Sequence, residues 1–184
     1  MKDDFNRYLK SANHRVDIVR YLRGGEKDET VLREILENLK ASAITEYEVH
    51  TFITELITVH LEDVNVDTLY MFFRMLNEVF EYNLDVDKYV YMSMLYIEYP
   101  KIPKKLSKSD TDSLSDIFND GDFISSCNPR LLISFSSLYL EVLLNSGTDY
   151  EEMAKISGML RNTHTVMMNE EKKLVKELSE NLQK

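Results

Sequence analysis

The residues of this sequence that could do chemistry are few: scattered histidines, a run of aspartates and one cysteine. The histidines are spread along the chain, at His14, His50, His60 and His164. His60, together with Glu62 and Asp63, could contribute ligands to a metal ion. A surface helix end explains the same three residues without a metal, and we favour that interpretation.

Five aspartates lie close together in the second half of the chain and invite a calcium-loop interpretation. They are Asp110, Asp112, Asp116, Asp120 and Asp122. A calcium loop needs a glycine at its sharp turn and oxygen ligands at fixed offsets from it. When Gly121 is placed at the glycine position, Phe118 falls where a ligand should stand. The calcium-loop template therefore fails.

The single cysteine, Cys127, cannot form an intramolecular disulfide, which favours a reducing compartment. No nearby residue of the sequence signals an activated thiol, so we predict that Cys127 is a buried small side chain. The sequence also contains no Gly-x-Ser-x-Gly elbow, no glycine-rich phosphate loop and no His-Glu-x-x-His pair. We therefore predict a non-catalytic protein that needs no cofactor and no metal.

The elements that would position any site are predicted to be helices. The 184 residues include only five Gly and three Pro, whereas strand-rich folds use many such residues at turns. Hydrophobic residues make up 43% of the chain, enough for a substantial core. The composition predicts an all-α fold.

Apolar residues at three-to-four spacing predict the first helix. It begins at Asp3 or Asp4 and ends at Gly24-Gly25. Its predicted buried stripe is Phe5, Tyr8, Leu9, Ala12, Val16 and Val19. Its basic residues, Arg7, Lys10 and Arg20, could meet a membrane surface, but neighbouring aspartates favour a solvated face.

Four further helices are predicted before residue 100. The second follows Asp28, and the third opens with Thr45 and Glu48 in the spacing of a capping box. The fourth starts near Asp67, and the fifth, after Asp85, is apolar almost all round, as a buried helix would be. A strand is the alternative for this last run, because periodicity alone does not separate the two.

Residues 100–128 are predicted to form one long irregular loop, with a short helix allowed around Leu114–Phe118. Asn128-Pro129 then begins a very apolar helix, with a capping residue followed by Pro at the first helical position. Beyond it we expect a helix break at Gly158 and at Thr163–Thr165, before a final amphipathic helix. That helix carries Val166, Met167, Leu174, Leu178 and Leu182.

The charge of the chain limits its partners. The net charge is −10, and residues 26–99 carry sixteen acidic but only five basic side chains. An acidic surface opposes nucleic-acid binding, which requires cations to displace counterions. No apolar run approaches the roughly 20 residues that span a bilayer. We therefore expect no nucleic-acid or membrane partner and an intracellular location, cytoplasmic or nuclear.

Several of the predicted helices resemble those of a known family. Leu76–Tyr82 and Tyr89–Glu98 are similar to the first two helices of a cyclin box, in particular that of the phosphate-pathway (P/U-type) cyclins. Asn128–Ile133 resembles the start of that family's central helix, and Thr148–Gly158 resembles its short fourth helix. Met168-Asn169 is similar to the opening of the fifth. The resemblance covers about residues 69–182.

The resemblance implies a contact surface for a protein kinase on the exposed edges of the third and fifth box helices. The implied partner-binding residues are Leu138, Glu141, Val142 and Lys172. Glu141 stands where the family has Lys, and Lys172 lies near the family's Glu. The two are either a charge-swapped pair or unrelated surface residues. Glu98-Tyr99 also replaces the family's Asp-Arg.

The resemblance divides the chain into N-terminal helices at 1–62 and a cyclin-box-like five-helix core at 63–184. We expect a non-catalytic, protein-binding subunit that regulates a cyclin-dependent kinase. The alternative is a helical adaptor or scaffold, viral or signalling, that binds a partner other than a kinase. The oligomeric state is left open by the sequence.

Overall fold

A computed structural model describes residues 2–24, 28–42, 44–61, 64–99, 106, 108–146 and 150–182 of the chain. It describes the side chains of these ranges apart from those of residues 2–10, 174 and 177–182. The described chain is helical and contains no strand, so the all-α prediction is confirmed. The fifth predicted helix is likewise a helix and not a strand.

Nine α-helices follow one another in the described residues, with one π-helical turn at Leu56–His60 directly after the third. Their bounds are α1 Lys2–Gly24, α2 Glu29–Ala41, α3 Glu46–Glu55, α4 Val66–Phe80, α5 Val86–Glu98, α6 Lys108–Asn119, α7 Gly121–Ser126, α8 Pro129–Ser146 and α9 Tyr150–Leu182.

The chain forms two compact units, Met1–Pro103 and Lys104–Lys184. In the first, α2 packs on α1 and α4, and α4 packs on α5. In the second, α8 packs on α6 and α9. The division predicted after residue 62 differs from this one, since it separates α2 from α4.

Side-chain caps begin most of these helices, because the first backbone N–H groups of a helix have no intrahelical acceptor. The predicted capping box is present: Thr45 accepts from the Glu48 N–H, and Glu48 accepts from the Thr45 N–H at 2.7 Å. Further capping residues are Asp28 for α2, Asn65 for α4, Asp85 for α5, Asp120 for α7 and Asn128 for α8.

The core of the first unit comes from the apolar faces of these helices. Its fully buried large side chains include Leu32, Leu36, Leu39, Phe72, Phe73 and Tyr89. Asn77 closes the turn between α4 and α5: its side chain donates to the Leu84 carbonyl and accepts from the Leu84 N–H, both at 2.9 Å. This double hydrogen bond fixes the turn that joins α4 to α5.

The buried face of α1 differs from the predicted stripe at Val16. Val16 is exposed, whereas Ile18, Tyr21 and Leu22 are buried. The Tyr21 hydroxyl donates to the Asp28 carbonyl at 2.9 Å, which ties the end of α1 to the start of α2. The predicted stripe residues Phe5, Tyr8 and Leu9 lie outside the described side chains. Ala12 and Val19 are half-buried, so among the described stripe residues the prediction is wrong at Val16.

The predicted loop at 100–128 is mostly helical, so the prediction of a long irregular stretch was wrong for residues 108–126. Helix α6 covers Lys108–Asn119 and buries Leu114 and Phe118, and α7 covers Gly121–Ser126. The polar composition of α6 concealed a narrow apolar face. The helix allowed around Leu114–Phe118 lies inside α6.

The predicted break in the last third of the chain is absent. Helix α9 runs without interruption through Gly158 and Thr163–Thr165. The Thr163 hydroxyl donates to the Met159 carbonyl at 2.9 Å, and the Thr165 hydroxyl donates to the Arg161 carbonyl at 2.9 Å. These threonines satisfy their hydroxyls within the helix, so their turn-forming tendency is not expressed.

Candidate protein-binding surface

Among the residues that suggested metal chemistry, Asp120 takes a structural role. Asp120 caps α7 by accepting from the N–H groups of Asp122 and Phe123. The His60 carbonyl, at the end of the π turn, accepts from Arg23 Nε at 2.8 Å, and Glu62 and Asp63 lie outside the described residues. Within the described part of the chain, no group of three His, Cys, Asp or Glu side chains could hold a metal ion.

Cys127 is buried just after α7, as predicted, and its N–H donates to the Phe123 carbonyl at 2.9 Å. No described helix is long and apolar enough to cross a membrane.

A cavity of about 400 Å³ lies in the first unit between the starts of α2, α4 and α5. Its lining is Glu29, Asp67, Tyr70, Met71, Arg74, Val86 and Asp87. Arg74 forms an ion pair with Glu29, and a hydrogen bond to Asp87 raises the pKa of the exposed Tyr70 hydroxyl. The acidic residues stand in first helical turns, where carboxylates stabilise the helix dipole. These contacts account for the polar groups without a ligand.

A half-buried polar cluster lies beside α3. His50 Nε2 is 3.9 Å from Glu46 Oε1, and its ring centroid is 5.5 Å from that of Tyr82. Burial lowers the pKa of His50, partly offset by the negative charge of Glu46. Burial, with the same charge, raises the pKa of Tyr82 to about 12. The cluster favours a neutral imidazole and a protonated phenol, which is a packing arrangement.

The predicted partner-binding residues on α8 divide into two sets. Leu138 and Val142 are buried in the core of the second unit, so they do not form a contact surface. The reason is that they share the inward side of α8 with Phe135 and Tyr139. Glu141 is exposed on the other side of the helix.

The exposed side of α8 carries one large apolar residue that is mostly in water. Leu144 is 64% exposed and stands three residues after Glu141, on the same side of the helix. Leu140 is half-buried nearby, and Ser137 is exposed. We call Ser137, Leu140, Glu141 and Leu144 the outer face of α8.

The sequence contains a signal for this face that the sequence analysis missed. Leu144 follows Leu140 by four residues, so the two leucines share one side of the helix. Because α8 is apolar almost all round, the buried residues concealed this second set.

Lys172, the last predicted partner-binding residue, is exposed on α9. It does not meet Glu141. Arg130 Nη2 contacts Glu171 Oε1 at 2.5 Å, so Lys172 lies near the start of α8, whereas Glu141 lies eleven residues along it. Eleven helical residues span about 16 Å, far more than the reach of an ion pair. Within one chain the two charges are therefore separate surface residues.

The comparisons with known proteins leave the chain without an assigned family: no family model, curated protein or solved structure matches it.

Proposed function

We propose that this chain is a non-catalytic subunit that binds another protein through the outer face of α8. The observation that supports the proposal is Leu144, a large apolar side chain that is 64% exposed near the end of α8. Removing such a leucine from water contributes about 2 kcal/mol to association. Exposed Ser137 and Glu141 beside it supply polar groups for the edge of a contact.

The spacing of the outer face favours a helix as the element that binds there. Side chains four and three residues apart form a continuous strip along a helix. An amphipathic helix can bind such a strip, because its own apolar side chains have the same spacing. Glu141 within the strip favours a basic residue on the bound helix, since opposite charges improve the rate and register of docking.

A second candidate for the partner is a protein kinase of the cyclin-dependent type. The resemblance of Leu76–Tyr82, Tyr89–Glu98 and Asn128–Ile133 to cyclin-box helices supports it. A subunit of this kind contributes no catalytic residue. Its binding energy favours the kinase conformation in which the catalytic ion pair is assembled.

The test is a pull-down from native extract with the tagged chain, read by quantitative mass spectrometry. Leu144→Glu places a charge at the most exposed apolar residue of the outer face and should deplete the partner at least tenfold. Val59→Glu is the matched control, because Val59 is 61% exposed in the first unit and far from α8 in sequence. A partner lost with Leu144→Glu and retained with Val59→Glu supports the proposal.

A partner retained equally by both variants contradicts it. The identity of the depleted protein separates the two candidates. Recovery of a kinase, with phosphorylation activity in the eluate that Leu144→Glu abolishes, supports the regulatory role. Depletion of a protein that is not a kinase supports an adaptor.

A further inference from the structure

The outer face of α8 has a counterpart of opposite charge on the same chain. On α9, Met168 is 38% exposed, Val175 is 66% exposed, and Lys172 is exposed between them. Lys172 follows Met168 by four residues and precedes Val175 by three, so the three share one side of the helix. We call Met168, Lys172 and Val175 the outer strip of α9.

The two surfaces have the same geometry. Glu141 follows Ser137 by four residues and precedes Leu144 by three, the spacing that Lys172 has in its own strip. On each surface, one charged residue lies between two residues that are seven positions apart. The charge is negative on α8 and positive on α9. Surfaces with matching repeat and complementary charge are suited to pack against each other.

Within one chain this contact does not form. The Arg130–Glu171 contact places Lys172 near the start of α8, about 16 Å along the helix axis from Glu141. Helix α9 is continuous from Tyr150 to Leu182, so its outer strip has no bend that would carry it back to the outer face of α8. The complementary surface must come from a second molecule.

We propose that a second copy of this chain binds the outer face of α8 through the outer strip of α9, with Glu141 of one copy paired to Lys172 of the other. In a twofold dimer the pair forms twice, since each copy supplies one Glu141 and one Lys172. This inference rests on the proposed function, because it names an occupant of the same face. A different partner protein has to compete with the second copy.

The interface is small. The 18 residues of α8 span about 27 Å, and a helix strip is about 10 Å wide. Areas of this size belong to weak, reversible complexes. We therefore expect a dimer that dissociates on dilution and weakens as salt concentration rises.

Charge reversal tests the pairing with purified full-length chain in sedimentation velocity runs over a concentration series. The wild-type chain should show a concentration-dependent dimer. Glu141→Lys and Lys172→Glu should each weaken it roughly tenfold, because each replaces two attractive pairs by two repulsive ones. Both residues are exposed, so thermal melts of the two variants should match the wild type.

The decisive step mixes the two variants. A Glu141→Lys chain and a Lys172→Glu chain together form two attractive pairs, so the equimolar mixture should regain the wild-type affinity as a heterodimer. Lys173→Glu is the control: Lys173 is exposed but points about 100° away around the helix, and its reversal should leave the dimer unchanged.

A wild-type chain that stays monomeric throughout the series overturns the inference, and so does a mixture that gains no affinity. Neither result affects the proposed function, because the measurement contains no other protein. Conversely, loss of every partner in the pull-down leaves this dimer measurable.

Discussion

Arg130 and Glu171 join the start of α8 to the far half of α9, with Nη2 and Oε1 2.5 Å apart. At the other end of the same hairpin, the Tyr139 hydroxyl donates to Glu152 at 3.3 Å. Helix α9 contacts α8 at Glu152 and again at Glu171 without a break between them. The second unit is therefore organised by one long helix in the region where the cyclin resemblance implies two.

The continuity of α9 predicts the effect of replacing Gly158 by alanine. Gly158 lies in the helix interior, and a Cβ added there meets no atom within 4 Å. Gly158→Ala should raise the free energy of unfolding by about 1 kcal/mol, because alanine is the better helix former and fits without a clash. Chemical denaturation measures the change.

Ser157→Ala, at the exposed neighbouring position, is the control for helix propensity alone and should have the smaller effect. If Gly158 instead stood in a turn between two helices, with a left-handed backbone, alanine would be strained there. A loss of stability in Gly158→Ala would therefore contradict a continuous α9.

Glu81 predicts a second stabilising change. It follows α4 with φ 60° and ψ 33°, the left-handed conformation that residues with a Cβ adopt at a cost of about 1 kcal/mol. Glu81→Gly should raise the melting temperature by several degrees, the equivalent of about 1 kcal/mol in a chain of this size. Glu81→Ala removes the same ion pair to Lys40 but keeps the strain. If the two variants have the same melting temperature, the left-handed conformation at position 81 does not destabilise the chain.

Replacing Leu138 by alanine should destabilise the chain much more than replacing Leu144, although the two leucines stand six residues apart on one helix. Leu138 is buried, so Leu138→Ala should lower the free energy of unfolding by about 2–5 kcal/mol through the cavity it leaves. Leu144→Ala should change stability by less than about 0.5 kcal/mol, since its side chain is mostly in water. Urea unfolding of the two variants checks this, and equal losses would contradict the assigned faces of α8.

His50 gives the first unit a pH dependence. Burial lowers the pKa of His50 below its ordinary value of 6.5 in the folded chain, so the unfolded chain takes up the proton first as the pH falls. The free energy of unfolding should therefore decrease as the pH drops through 6.5. A series of urea titrations between pH 8 and about pH 5 measures the slope.

His50→Gln should flatten that slope, because glutamine does not titrate, while the contributions of the carboxylates remain in both proteins. An identical pH profile in the variant would show that His50 binds its proton equally in the folded and unfolded chain.

Much of the first unit could be predicted from sequence because its signals are local. Thr45 with Glu48, and Asp28 and Asp85 before apolar repeats, mark helix starts by hydrogen bonds within one turn. The apolar pattern did not identify the buried residues where two different sets of apolar residues both fit a helical stripe. On α1 both Val16 and Ile18 fit an apolar stripe, and only packing against α2 decides between them.

The sequence predicted which helix carries the candidate surface, but it did not predict which residues of that helix are exposed. Periodicity identified α8 as an apolar helix, yet Leu138, Val142 and Leu144 look alike in sequence, and their burial depends on where α9 and α6 lie. Similarly, Gly158 and Thr163 carry turn-forming tendencies that packing along α8 overrides. Those contacts join residues far apart in the chain, beyond the reach of local rules.

The central claim is that the outer face of α8 contacts another protein, and site-specific photo-crosslinking in native extract tests it most directly. A benzophenone amino acid is placed at Leu144 in one full-length chain and at Val59, equally exposed in the first unit, in another. We predict a covalent adduct with a second protein from position 144 and none of that mass from position 59. Adducts absent from position 144, or formed equally from both positions, would contradict the claim.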